Sequence, residues 1–119
     1  MAQDGEKYKS AGRELLEKAR HELAQGDLRQ ESEKGWGAAA QMVKAVAERR
    51  GWRHDGHAAL FEVVNRMVSE TGDRQLGMVF YTANGLHINF YENVMSREMV
   101  EIGLDQVERF VDGLDRLVQ

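Results

Sequence analysis

The chain has 119 residues, with 16 Lys and Arg against 20 Asp and Glu, a formal net charge of −4, and no cysteine. That length suits one domain, and the missing cysteines exclude disulfides, a thiolate nucleophile and thiolate-bound zinc. No Lys/Arg block announces a broad nucleic-acid surface, and no apolar run approaches the ~20 residues of a membrane span. The opening "MAQDGEKYKS" has no apolar signal core, so a cytoplasmic protein is expected.

Taken in chain order, apolar residues recur at helical rather than strand spacing. Residues 1–6 read as a disordered tail, and residues 7–119 as a single helical domain. The first helix is expected from Lys7 to Ala24, with Tyr8, Ala11, Leu15, Ala19 and Leu23 on one face and Gly26 as its stop. Asp27, with Gln30 three residues on, is a capping-box start for a second helix from Leu28 to Arg50. Its stripe is Leu28, Gly35, Ala39, Met42, Val43 and Val46, with Trp36 at the edge. Gly35 and Gly37 each cost roughly 1 kcal/mol against alanine in a helix, which predicts a close helix crossing there.

After "RRGWRHDGH", Asp55 or Gly56 opens a third helix, His57 to Glu70, with Leu60, Val63, Val64 and Met67 inward. Asp73 caps a fourth, Arg74 to Asn93, and Ser96 a fifth, Arg97 to Val118. The fifth has the cleanest stripe: Val100, Leu104, Val107, Val111, Leu114 and Val118. Short connections predict antiparallel neighbours, so the expected fold is all-α, a compact antiparallel bundle of five helices.

The segment "ANGLHINFYEN" raises a chemical question, because it sets His87 among Leu86, Ile88 and Phe90. On a helical wheel of ~100° per residue, Leu76, Phe80, Ala83, Phe90, Tyr91 and Val94 share an apolar arc with His87 near its middle. Asn89 and Glu92 point the other way. A buried imidazole needs a hydrogen-bond partner, and Ser32, Trp36 or a tyrosine hydroxyl could serve. Trp36, Asn84, His87 and Tyr91 would then line a polar, ligand-binding pocket between the second and fourth helices.

A second cluster gathers Arg49, Arg50, Arg53, His54 and His57 around Trp52. It reads as a phosphate contact, or as cations complementing the end of the second helix. His54 and His57 with Asp55 lack a third convergent ligand, so no metal is expected. No cofactor is expected either, since there is no phosphate loop and no dinucleotide fingerprint. The serines lack a nucleophile-elbow setting.

The stretches "GDLRQESEKGWGAA" and "LHINFYEN", within a likeness running from about Ala11 to Val111, resemble the HEPN superfamily (higher eukaryotes and prokaryotes nucleotide-binding). The likeness is closest to its archaeal and bacterial repeat-protein branch. It implies a bundle of four to five helices, often a homodimer, and pairing with a nucleotidyltransferase or action as a metal-independent RNase. The RNase members carry an arginine, then four to six intervening residues, then a histidine. His87 matches that histidine and would be catalytic, but the arginine positions hold Phe80, Tyr81 and Thr82. Arg49 with His54, and Arg50 with His57, have the spacing but lie in the turn after the second helix.

The expected function is therefore a non-catalytic, HEPN-like binding or assembly module, dimeric, taking a nucleotide, RNA or partner protein. The alternatives are a metal-independent RNase built on His87, with an arginine from the same or the partner subunit, and a small-molecule-binding bundle.

Overall fold

A computed structural model of the chain describes residues 2–118, with side chains described from residue 5 to residue 117. It contains five helices: α1 (Ala2–Gln25), α2 (Leu28–Arg50), α3 (His57–Thr71), α4 (Arg74–Glu92) and α5 (Arg97–Val118). No strand is present among the described residues. The helix start lies upstream of the expected Lys7, and Met1 of the expected tail lies outside the described residues.

The caps explain where the helices begin and end. Asp27 accepts a hydrogen bond from the Gln30 amide at 3.1 Å, Asp73 from Gln75 at 3.0 Å, and Ser96 from Met99 at 3.2 Å. Gly51 closes α2 and Gly72 closes α3 at φ 71° and 72°, the left-handed conformation that glycine adopts without a Cβ clash. Asn93, at φ 52°, does the same for α4.

α2 is the axis of the fold, packed against all four other helices. It is buried nearly all round, from Glu31 to Ala47, which explains its wealth of alanine and glycine. A Cβ on Gly12 would stand 3.2 Å from the Ala38 carbonyl oxygen, so α1 and α2 approach backbone to backbone there. A Cβ on Gly35 would stand 3.2 Å from a methyl of Leu86, and one on Gly103 only 3.0 Å from the other. These two glycines make the socket that lets Leu86 knit α2, α4 and α5 together.

The buried face of α1 is centred on Gly12, Leu16 and Ala19, while Tyr8 and Leu15 are only half-buried. The seam between α1 and α5 is closed by charge. Arg13 reaches Asp112 and Asp115, Lys9 reaches Asp115, and Arg20 reaches Asp105 and Glu108. The descending residue pairing makes α1 and α5 antiparallel. No helix among the described residues is long and apolar enough to cross a membrane.

Candidate functional site

Where α2, α3 and α4 meet, five polar or aromatic side chains converge. Trp36 comes from α2, His57 from the first turn of α3, and Asn84, His87 and Tyr91 from α4. The Trp36 ring lies 4.9 Å from the His57 ring and 5.3 Å from the His87 ring, and the two imidazoles are 5.7 Å apart. Tyr91 meets His87 edge-on at 5.5 Å. Phe80 and Phe61 back the cluster from the core.

Each imidazole has a fixed orientation. His87 Nδ1 lies 2.7 Å from Glu33 Oε1, and an ionised carboxylate only accepts, so Nδ1 is the donor and Nε2 faces outward. His57 Nε2 donates to Asn84 Oδ1 at 2.8 Å, leaving its Nδ1 available. His87 retains 29% of its side-chain exposure. It therefore sits at the rim of the α4 face, not at the middle of its apolar arc. Its partner is Glu33, which the wheel of α4 alone could not supply. Asn84 serves the other histidine.

Three more positions differ from expectation, Asn89 and Tyr91 on α4 and Val94 just after it. Asn89 does not point away: it is 1% exposed, donates to Ser32 Oγ at 3.0 Å and accepts from the Val94 and Met95 amides at 2.9 and 2.8 Å. Tyr91 and Val94, assigned to the apolar arc, are 66% and 79% exposed. The site is accordingly an open platform, with His57 and Tyr91 exposed to solvent, and not an enclosed pocket.

The basic turn after α2 does not assemble a phosphate cradle. Arg50 pairs with Glu70 and lies 5.1 Å over Trp52, Arg53 pairs with Asp55, and His54 approaches Glu48 at 3.4 Å. Arg49 also has an interaction partner. His57 leaves this set altogether and joins the platform. Among the described residues no three His, Asp or Glu side chains converge as a metal site.

The platform continues into a surface that the sequence hides. Residues 75 to 91 carry no Asp, Glu, Lys or Arg. Yet Met78, Tyr81 and Ile88 are 60%, 69% and 50% exposed, and with Tyr91 and Gly85 they form the outward face of α4. A Cβ on Gly85 would meet nothing within 4 Å, so packing inside this chain does not require glycine there.

Residues 7–111 match the archaeal PaREP1/PaREP8 family. The chain belongs to that family. No curated protein matches it. A crystal structure of a protein from Sulfolobus solfataricus has the same fold as this PaREP1/PaREP8 chain, with a TM-score of 0.83. The two are 19% identical, and the alignment covers 92% of this chain and 97% of that one. At that identity the likeness speaks for the fold alone.

Proposed function

We propose that the protein is a non-catalytic, HEPN-like binding and assembly module of the cytoplasm that pairs with a second copy through the outward face of α4. The dimer would hold the Trp36–His57–His87–Tyr91 platform at its edge for a nucleotide, an RNA or a partner protein, with a nucleotidyltransferase as the partner the HEPN resemblance implies. One observation carries this reading: the uncharged, exposed face of Met78, Tyr81, Ile88 and Tyr91 along a single helix. Contiguous apolar surface of this kind marks interaction sites. An isologous pairing of α4 with its copy would bring Gly85 to the crossing, where a missing side chain lets helices approach closely. The platform suits planar, neutral groups, because the exposed rings of His57 and Tyr91 offer stacking surface and Glu33 would repel a phosphate placed beside it.

Light scattering at about 100 μM, well above a micromolar dissociation constant, is expected to return twice the chain mass. Ile88→Glu and Tyr81→Glu, both at exposed positions, should return the single-chain mass with unchanged helical content. A wild-type monomer at that concentration sinks the reading.

The oriented imidazole pair favours a second reading, a metal-independent RNase. His87 Nε2 would take the proton of a 2′-hydroxyl as its oxygen attacks phosphorus. Protonated His57 would hand a proton to the departing 5′-oxygen, leaving a 2′,3′-cyclic phosphate. Against it, Arg50 and Arg53 are engaged elsewhere, so no arginine stands ready to stabilise the phosphorane charge. Cleavage of RNA in EDTA, lost in both His57→Ala and His87→Ala, would replace the first reading with this one.

A further inference from the structure

We propose that a cleft between the start of α4 and the second half of α5 binds a small anion carried on an apolar body, such as an aryl phosphate or aryl carboxylate. This site is separate from the α4 outward face and does not depend on self-association.

The cleft has a volume of about 330 Å³, within the range of small-molecule sites. Leu76, Val79 and Phe110 give it apolar walls, and Arg109 and Arg116 stand on its rim. Asp73 also lines it, at the α4 end, where it caps the helix by accepting from the Gln75 amide at 3.0 Å and the positive end of the helix dipole offsets part of its charge.

The arginines carry the argument. Arg13, Arg20, Arg29, Arg50, Arg53, Arg66 and Arg97 all have a carboxylate, a carbonyl or an aromatic face as partner. Among the described residues, Arg74, Arg109 and Arg116 have no partner, and two of them, Arg109 and Arg116, line this cleft. Unpaired like charges gathered in an acidic chain repel one another until a counter-anion arrives.

Arg109 and Arg116 are seven residues apart, two helical turns or about 10.5 Å of rise, and so share one face of α5. Their long side chains can converge on a single anion placed between them, and guanidinium groups match phosphate and carboxylate oxygens in pairs. Gly113 lies between them on the cleft wall, and a Cβ there would meet nothing within 4 Å. Packing does not demand that glycine, and its missing side chain leaves the cleft open. Charge at the rim and hydrocarbon on the walls together select an amphipathic anion over a bare one.

Titration of the full chain by calorimetry, with phenyl phosphate, inorganic phosphate and phenol as probes, tests this. Phenyl phosphate should saturate in the low millimolar range, and each of the others should bind at least ~10-fold more weakly. Arg109→Gln combined with Arg116→Gln should weaken phenyl phosphate at least ~10-fold. Gly113→Leu should do the same by filling the cleft. Both arginines are exposed, so the double variant retains its fold and keeps the test decisive if Gly113→Leu does not fold. No saturation by about 10 mM, equal binding of bare phosphate, or undiminished binding in the arginine variant would each overturn the assignment.

Discussion

Glu31 is fully buried in the first turn of α2, and neither of its carboxylate oxygens has a hydrogen-bond partner among the described residues. Burial pushes its pKa up from 4.5 to about 7, against the pull of Arg20 and Arg97 and with Glu101 and Asp105 adding to the rise. Because the folded value lies above the unfolded one, the folded chain holds the proton more tightly. Glu31 therefore favours folding most below about pH 4.5, and that contribution is lost as pH rises through about 7. Chemical denaturation between pH 5 and 8 should register a fall of up to roughly 3 kcal/mol from this group, and Glu31→Gln should flatten the profile. A wild-type profile as flat as the variant's would contradict the assignment. The other residue-scale expectation concerns His87 and Glu33, about a third exposed and 2.7 Å apart. A double-mutant cycle of His87→Ala with Glu33→Gln should give a coupling of roughly 0.5–1 kcal/mol at neutral pH, the scale of a partly solvated pair. Zero coupling would mean that the carboxylate does not hold the ring.

At the scale of elements, the joint between α4 and α5 depends on one amide. Asn89 ties Ser32 of α2 to the Val94 and Met95 amides, while Ser32 Oγ donates to the Leu28 carbonyl at 2.8 Å. The chain can turn after α4 because those two amides, which have left the helix, find an acceptor inside the fold. Asn89→Ala leaves both unpaired and should cost roughly 2–4 kcal/mol in denaturant unfolding. A loss below about 1 kcal/mol would mean that water replaces the side chain. The same joint accounts for the misplacement of Asn89 on the wheel. Hydrophobic periodicity sorts side chains by polarity, and a buried amide that binds the loop after its own helix has the wrong polarity for the face it occupies. The C-terminal "NVMS" signals a turn, but nothing in its residue types says which upstream side chain receives the amides.

At the scale of the whole molecule, α2 is enclosed by the other four helices and α4 is left with one face outward. If that face is closed by a second copy, unfolding is coupled to dissociation. The melting temperature should then rise with protein concentration between about 1 and 100 μM, and Ile88→Glu should remove the dependence. A concentration-independent wild-type melting temperature would place α4 in solvent. The helix count, the α2 and α5 bounds, the caps at Asp27, Asp73 and Ser96, and the α5 stripe from Val100 to Leu114 were legible in the sequence, while the side chain of Val118 lies outside the described residues. These follow from local rules: periodicity, N-cap chemistry, and glycine at left-handed ends. The sequence also singled out Trp36, Asn84, His87 and Tyr91, four members of the platform. The packing of the helices on one another brings Glu33 to His87, takes His57 from the basic turn to Asn84, and leaves the face bearing Tyr81 and Ile88 bare. It also brings the unpaired Arg109 and Arg116 to one cleft. The reason is physical. A helical wheel fixes angles within one helix, but the partner of a side chain depends on the rotation of the neighbouring helices. That rotation is set here by the glycine contacts around Leu86 and by the close approach of α1 to α2.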